Sequence, residues 1–479
     1  AEGASFNFED RIELVKRLDA FGMSYIELGW PVVSKEIFDS FKVALKSVKN
    51  ANIVAFGSTS INANVNEDKN LNSIVDTGVK YACIFGKSCV EHVEVQLCIT
   101  KEDNLKKIEE SVGFLVGKGL TVFYDAEHYF DGFKDNKKYA VDSLISAVKG
   151  GAEKVILCDT KGGILPSEAE EIVKATRVSL DENGFDSVDL GVHFHDDSGL
   201  ALGNTLACLD DINLVQGTIN GTGERLGNLN FSEFLPVYAK KVKRKLKVDM
   251  KSLKEINEFA FKVAGLDVPY KRAFVGDSAF AHKGGVHINA ILKGAGYEHE
   301  NPEEFGNKSV ILLNSLGGKS SVVELGKSFG FELDKSDLKV QNKIDELFVE
   351  LRGLESKGYR VGSLKAEQFL LMNKYFGSGD VGMVEDFELD LSHGSIENAF
   401  ESVKKSLGSE VEGVELDDFH LSMVVRHGGE NLIRSEIFFK VGEEKFSLIG
   451  VDRNVVKSIS EALKKGFEYY MNKFKSIGM

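Results

Sequence analysis

The sequence has little cysteine and no long apolar run, and each shortage excludes a class of protein. Its five cysteines form no Cys-x-x-Cys pair, which argues against a disulfide scaffold and favours a reducing compartment. No run of about 18 apolar residues occurs, so no segment is expected to span a membrane. No signal peptide is visible either, and we therefore expect a cytoplasmic protein.

Positive charge is also scarce. The 59 lysines and arginines are outnumbered by 74 aspartates and glutamates, which gives a formal net charge of −15. This balance argues against broad nucleic-acid binding, and it means that an anionic substrate needs a local basic pocket. No G-x-G-x-x-G motif follows the first candidate strand, so a dinucleotide-binding fold has little support.

The first half of the chain alternates short apolar strands with amphipathic helices. The candidate strands are 25–29, 53–57, 81–86, 121–127, 154–160, 190–196 and 214–221. Helical patterns lie between them, as at 104–117, where apolar residues recur every three or four positions. Repeated units of a strand followed by a helix imply a parallel sheet.

These seven candidate strands are one fewer than a closed (β/α)₈ barrel needs. The first element, at 11–21, is a helix with no strand before it. The sequence therefore predicts an α/β protein built on a TIM barrel that lacks its first strand. An open, doubly wound sheet would accept seven strands and stays an alternative.

A chain of 479 residues is too long for one ordinary core, and its pattern changes twice. We place the barrel at 1–245, mostly helical linker subdomains at 246–379, and a small α+β domain at 380–479. The predicted strands of the last domain lie near 384–391, 419–426, 435–441 and 445–451, and its helices at 396–407 and 454–473.

Two histidines separated by one residue, His193 and His195, close an apolar run that is typical of a buried strand. Side chains two apart on a strand point the same way, so both imidazoles should converge at its carboxyl end. With Asp196 and Asp197 beside them, they suit a divalent metal. The alternative is a pair of barrel-lining histidines that are satisfied by hydrogen bonds.

Polar residues follow other strands in the same way. They end one strand at 124–128 (YDAEH) and the next at 158–163 (CDTKGG), and they follow the last strand at 220–228 (NGTGERLGN). In a barrel, chemistry lies at the carboxyl ends of the strands and in the loops after them. Several such groups at one end of the sheet predict a shared active site.

These segments resemble the Claisen-condensing acyltransferase family of isopropylmalate, homocitrate and citramalate synthases, and its citramalate branch most closely. The matching segments are YIELGWP (25–31), AFGST (55–59), IFGKS (84–88), YDAEHYFDG (124–132), LCDTKGG (157–163), HFHDDSGL (193–200), QGTINGTGERLG (216–227) and FAHKGGVH (280–287). A further segment, IGVDRNVVKSISEALKKGFEYY (449–470), is similar to the end of the family's C-terminal regulatory domain. The resemblance thus covers essentially the whole chain and implies a metal-dependent TIM barrel.

The resemblance implies which residues would hold the metal and the keto acid. His193 and His195 match the family's metal-ligand histidines, and Asn228 matches a further ligand or near-ligand position. Thr160 matches the threonine that holds the carboxylate of the keto acid. A threonine at this position could also cap the next helix.

Three further residues are implied as catalytic. Glu127 matches a glutamate at the acetyl-CoA end of the site. His287 matches a histidine that, in the family, reaches into the site from the partner subunit, and Tyr297 matches a tyrosine of the same region. The resemblance therefore also implies a homodimer.

The implied reaction condenses acetyl-CoA with pyruvate to give citramalate and coenzyme A, a step towards isoleucine, with Mg²⁺, Mn²⁺ or Zn²⁺. The family opens with a strand ending in Arg-Asp-Gly, whereas the first residues of this sequence resemble the family's segment immediately after that motif. We therefore expect the polypeptide as given to be truncated and inactive. The alternatives are a 2-isopropylmalate synthase, which uses 2-oxoisovalerate, and a non-catalytic binding protein of the same fold.

Overall fold

The computed structural model describes residues 3–62, 64–282, 296–313, 317–377, 383–387, 389, 395–424 and 431–475. The chain divides into two compact units. The first comprises Ala1–Phe280 with Asn301–Lys308, and the second comprises Ala281–Glu300 with Ser309–Met479. The three-part division expected from the sequence, with boundaries at 245 and 379, stays a prediction.

Strands and helices alternate through the first unit. Its strands are β1 (Tyr25–Gly29), β2 (Asn52–Ser58), β3 (Tyr81–Lys87), β4 (Thr121–Glu127), β5 (Lys154–Asp159), β6 (Asp189–Phe194) and β7 (Leu214–Gln216). Its helices are α1 (Phe8–Phe21), α2 (Lys35–Ser47), α3 (Lys69–Asp76), α4 (Lys101–Gly117), α5 (Tyr129–Lys149), α6 (Pro166–Glu182), α7 (Ala201–Cys208), α8 (Phe231–Lys240) and α9 (Leu253–Val263).

Strands β1 to β7 form one parallel sheet in which each strand pairs with the next one in the sequence. The sheet curls into a half-barrel. A doubly wound sheet reverses its strand order at a switch point, and no reversal occurs within the described residues. The prediction of a TIM-like barrel is therefore confirmed, and the doubly wound alternative is wrong.

The strands are mostly apolar along both faces, as is common in parallel sheets. One face packs against the helices in the main core of this unit. On the other face, a smaller cluster lines the inside of the half-barrel, formed by Val54, Cys83, Phe123, Ile156 and Cys158. Residues at the beginnings of several strands also pack against this cluster. The apolar packing therefore lies away from the carboxyl ends of the strands, which remain available to polar groups.

The second unit contains β8 (Ala281–His282), β9 (Val310–Ile311), α10 (Lys319–Ser328), α11 (Leu338–Lys357), α12 (Lys365–Phe376), α13 (Ile396–Leu407), β10 (Glu415–Val424), β11 (Leu432–Val441), β12 (Glu444–Asp452) and α14 (Val455–Tyr470). Strands β10 to β12 form an antiparallel sheet in sequence order. Helix α14 lies directly on it, since a Cβ at Gly466 would come 2.0 Å from Cζ of Phe439. None of the helices described in either unit is long and apolar enough to cross a membrane.

One predicted strand of this unit is wrong. The described part of 384–391, namely 384–387 and 389, contains no strand. The backbone N–H of Val384 donates to Oε1 of Glu468 on α14, at 3.2 Å, and the Val384 side chain is buried. The segment therefore packs against a helix, which an apolar pattern alone does not distinguish from pairing in a sheet.

Candidate active site

Polar side chains from neighbouring strands line the carboxyl edge of the half-barrel. Lys87 at the end of β3 is the Cα partner of Glu127 at the end of β4. His193 on β6 is paired with Cys158 of β5 on one side and with Gln216 of β7 on the other. Because the strands are parallel, their carboxyl ends meet at one edge, which is where a barrel places its chemistry.

His193 and His195 lie side by side at this edge, with 5.1 Å between the ring centroids. Burial lowers the pKa of both imidazoles, so both are neutral near pH 7 and each keeps a lone pair for a ligand. Nδ1 of His193 lies 2.8 Å from Oε1 of Gln216. Nδ1 of His195 is buried and has no hydrogen-bond partner among the described residues.

Asn228 reaches His195 through a tight loop. The chain turns back after β7 so that Asn228 forms a β-bridge with His195, and its backbone N–H donates to the carbonyl of Gly221 at 3.0 Å. Gly227 makes this turn with φ of 108°, and a Cβ at that position would lie 1.9 Å from the same carbonyl oxygen. Within the described part of the chain, Oδ1 of Asn228 is buried without a hydrogen-bond partner.

His193, His195 and Asn228 fit a divalent cation. Two imidazoles and an amide oxygen form a donor set that such ions accept. The partnerless Nδ1 of His195 and Oδ1 of Asn228 are buried polar atoms, which are unfavourable unless a ligand satisfies them. Within the described residues, no group of three or more His, Cys, Asp or Glu side chains is placed to hold a metal, so the set consists of two imidazoles and one amide oxygen.

Glu127 is fixed at the same edge by charged and aromatic neighbours. Its Oε2 lies 2.5 Å from Nζ of Lys87, which is 7% exposed. Its Oε1 lies 3.9 Å from Nε2 of His128. His128 adopts φ of 61°, which is uncommon for a residue with a side chain, and its ring stacks on His92 with 3.7 Å between centroids.

Thr160 does not cap the next helix. Helix α6 begins at Pro166, whereas Oγ1 of Thr160 accepts the backbone N–H of His128 at 2.8 Å. Its carbonyl accepts a hydrogen bond from Nη2 of Arg225, also at 2.8 Å. The capping alternative is therefore wrong, and the hydroxyl proton of Thr160 can still be donated to a substrate.

The other two predicted residues come from the segment Ala281–Glu300, which belongs to the second unit. His287 lies outside the described residues. Tyr297 belongs to the second unit, where it is 48% exposed. The catalytic roles predicted for both stay predictions.

Sequence reasoning missed three polar side chains inside the half-barrel, Glu27, Asp125 and Gln216. Glu27 is exposed, and partial loss of hydration together with the nearby Asp125 charge raises the pKa of its carboxyl. Asp125 is buried and accepts hydrogen bonds from the Cys83 thiol and the Gln216 amide. The available signal was a carboxylate inside an otherwise apolar strand, as in YIELG at 25–29.

Comparison with known proteins covers most of the chain. Residues 1–260 match the family described as HMGL-like, and residues 274–350 match the family described as homocitrate synthase post-HMGL domain-like. An (R)-citramalate synthase of Aquifex aeolicus is 35% identical over 100% of this chain and 96% of that protein. An (R)-citramalate synthase of Geobacter sulfurreducens is 33% identical over the same shares. A 2-isopropylmalate synthase of Sulfolobus acidocaldarius is 29% identical over 77% of this chain and 90% of that protein.

These matches confirm the relationship that the motifs predicted. The first family spans the seven-stranded half-barrel and all of the predicted site residues except His287 and Tyr297. Both (R)-citramalate synthases match the chain from end to end, at an identity above 30%. The chain therefore belongs to the HMGL-like family.

Proposed function

We propose that this chain is an (R)-citramalate synthase, which condenses acetyl-CoA with pyruvate to give citramalate and free coenzyme A. The observation that carries the proposal is similarity along the whole chain to curated (R)-citramalate synthases, at a higher identity than to the 2-isopropylmalate synthase. The reaction forms one carbon–carbon bond and then hydrolyses one thioester.

The 2-oxo acid is assigned to the edge formed by His193, His195 and Asn228. These side chains would hold a divalent cation, Mg²⁺, Mn²⁺ or Zn²⁺, which when bound polarises the keto group of a substrate. Both imidazoles suit this task because burial keeps them neutral. The Thr160 hydroxyl, whose oxygen already accepts the N–H of His128, donates its proton to the substrate carboxylate.

Glu127 is assigned to proton transfer. A base must take a proton from the methyl group of acetyl-CoA before that carbon can attack the keto carbon. The Glu127 carboxylate is paired with the Lys87 ammonium, and its side chain is 22% exposed, so it can accept this proton directly or through one water. His287 is the second candidate for the base, and Tyr297 is assigned to the same step. The alkoxide formed by the attack takes up a proton, and water then hydrolyses the thioester.

Substrate choice depends on pocket size at this edge. Pyruvate carries a methyl group where 2-oxoisovalerate carries an isopropyl group. A hydrophobic pocket separates substrates by only about 1–3 kcal/mol for each methylene. The two 2-oxo acids must therefore be compared directly.

The test is an assay of coenzyme A release with acetyl-CoA, a divalent metal and either 2-oxo acid, made on this chain and on the same chain preceded by a strand that ends in Arg-Asp-Gly, the motif with which the family opens. Release that depends on pyruvate, is abolished in His193→Ala and persists in His420→Ala supports the proposal; His420 is exposed on β10 and serves as the matched control. Release with 2-oxoisovalerate alone would assign a 2-isopropylmalate synthase. No release from the folded, metal-loaded chain that carries the Arg-Asp-Gly strand would favour a non-catalytic binding protein.

A further inference from the structure

A line of hydrogen-bonded side chains crosses the half-barrel from Asp125 to His193. Gln216 stands between them, with Nε2 at 3.0 Å from Oδ1 of Asp125 and Oε1 at 2.8 Å from Nδ1 of His193. Asp125 is 6% exposed, and the other two side chains are partly buried. Water therefore competes little with these bonds.

The carboxylate of Asp125 determines which end of the Gln216 amide faces it. Burial raises the pKa of the Asp125 carboxyl, and in its ionised form this group only accepts hydrogen bonds, so the amide must then present its NH₂ group. The same oxygen also accepts the thiol proton of Cys83, at 3.2 Å, and burial raises the pKa of that thiol so that it stays a donor. Turning the amide over would place two oxygens against each other without a proton between them.

The amide in turn determines the position of the proton on His193. Oε1 of Gln216 has no hydrogen to give, so its bond to Nδ1 requires the hydrogen to be on Nδ1. A neutral imidazole carries one ring hydrogen, and Nε2 is therefore left with its lone pair. The Asn228 side chain also lies within hydrogen-bonding reach of His193, so Gln216 competes with it for the ring hydrogen. A histidine that binds a metal commonly donates its other ring N–H to a fixed acceptor, which holds the tautomer and the ring orientation.

We propose that Gln216 is the positioning residue that sets the tautomer of His193, and that Asp125 acts through Gln216 by fixing the orientation of its amide. The inference rests on the proposed function only in the ligand role given to His193. It assigns a task to two polar side chains inside the barrel that the condensation does not otherwise use.

The first test measures metal affinity in the metal-free full-length protein, by calorimetric titration with Mn²⁺ and with Zn²⁺. Gln216→Leu removes the acceptor for Nδ1 and is expected to weaken binding by about 10- to 100-fold, the usual effect of losing such a partner. Gln216→Glu keeps an acceptor oxygen for Nδ1 but sets a second carboxylate oxygen against Asp125, so the conservative variant is Gln216→Glu combined with Asp125→Asn, whose amide restores a donor at that contact. This double variant is expected to bind within a few-fold of the parent. The matched control is Gln96→Leu, since Gln96 lies 3.1 Å from Nδ1 of His92, a histidine outside the proposed ligand set.

The second test reads the tautomer of His193 directly in the parent protein. Nitrogen-15 spectra of the histidine rings, recorded without metal at about pH 8, distinguish Nδ1–H from Nε2–H, and His193→Asn assigns the signal. We expect Nδ1–H in the parent. Asp125→Leu frees the Gln216 amide to turn and is expected to give a mixture of the two tautomers.

The outcomes separate this inference from the proposed function. If the parent binds no metal but His193 carries its hydrogen on Nδ1, the ligand role in the proposed function fails while the tautomer relationship stands. If the parent binds metal and folded Gln216→Leu binds it equally well, the inference is overturned. Hydrogen on Nε2 of His193 in the parent would also overturn it.

Discussion

Lys87 and Glu127 form an ion pair across two neighbouring strands, with 2.5 Å between Nζ and Oε2. The two residues are Cα partners in the register of β3 and β4, where the strands reach the carboxyl edge of the sheet. Their side chains are 8% and 22% exposed, so water screens the pair weakly. The pair therefore holds the carboxylate that we propose as the base.

Removing the Lys87 ammonium is expected to destabilise the protein strongly. Lys87→Met leaves the Glu127 carboxylate without its partner, and breaking such a buried pair costs about 3 kcal/mol. The free energy of unfolding in urea measures this cost. The double variant with Glu127→Gln should recover most of it, because the unpaired charge is then absent.

The control for this prediction is Lys106→Met. The Lys106 side chain is 71% exposed and pairs with Glu110 at 3.7 Å, so water screens this ion pair. The change in the free energy of unfolding caused by Lys106→Met should therefore be close to the error of measurement. Equal decreases in the free energy of unfolding for Lys87→Met and Lys106→Met would show that the Lys87–Glu127 pair stabilises the protein no more than an exposed pair does.

Thr160→Val is expected to impair binding of the 2-oxo acid. Valine cannot accept the N–H of His128, which is held in the left-handed region, and it cannot donate to a substrate carboxylate. We expect the KM for pyruvate to rise about 10-fold or more, as for the loss of one charge-assisted hydrogen bond. Thr160→Ser keeps the hydroxyl and should stay near the parent. A parent-like KM in Thr160→Val would exclude Thr160 from the substrate site.

Acid stability is expected to depend on Asp19. Burial alone would raise the pKa of its carboxyl, but hydrogen bonds from the backbone N–H groups of Ala51, Lys49 and Asn50, together with the nearby Lys49 charge, outweigh burial and lower it. A lowered pKa in the folded state means that the stabilisation is present above the ordinary value, about 3.9, and is lost as the pH falls through the folded value.

Asp19→Asn should therefore lower the melting temperature at neutral pH. The further decrease of the melting temperature below about pH 4 should be smaller in this variant than in the parent. Thermal unfolding followed by circular dichroism from neutral to acid pH measures both. Asp39→Asn is the matched control, because the Asp39 side chain is 40% exposed and pairs with Lys42 at 3.4 Å. The same acid slope in the parent and in Asp19→Asn would contradict the prediction.

The strands could be predicted because their signals are local. Six of the seven predicted strands end within two residues of the observed ends, since each is a short apolar run. Strand β7 ends at Gln216, five residues before the predicted end at Gly221. The N–H of Thr218 donates instead to the carbonyl of Leu229, in the segment that turns back. Leu229 thus takes the hydrogen bond that would otherwise extend the strand. Because it lies later in the chain, the local strand pattern around Gln216 gives no sign of it.

The site was predictable where side chains follow strand ends and not where they lie inside the barrel. His193 and His195 converge as their spacing required. In the sequence, Gln216 lies inside the predicted strand 214–221 and begins the matching segment 216–227, and its contact with His193 arises from the pairing of β6 with β7. Such a contact depends on strand order and register, so it becomes visible only in the folded chain.

The loop that positions Asn228 contains Gly227, and substitution of this glycine should have an effect different from that of substituting a glycine that is merely strained. Gly227 has φ of 108°, and a Cβ there would lie 1.9 Å from the carbonyl oxygen of Gly221, which accepts the N–H of Asn228. Gly227→Ala should therefore displace Asn228 and weaken metal binding by about 10-fold or more, the scale of effect that loss of a supporting contact has at metal sites.

The comparison variant is Gly119→Ala. Gly119 also has a positive φ, 87°, but a Cβ there meets no atom within 4 Å, so alanine adds backbone strain without a clash. We expect it to lower stability by about 1 kcal/mol and to leave metal affinity unchanged. Calorimetric titration and urea unfolding of both variants measure the two effects. If Gly227→Ala loses stability like Gly119→Ala but binds metal as the parent does, Asn228 is not a ligand, and the cation would have to be held by His193 and His195 without it.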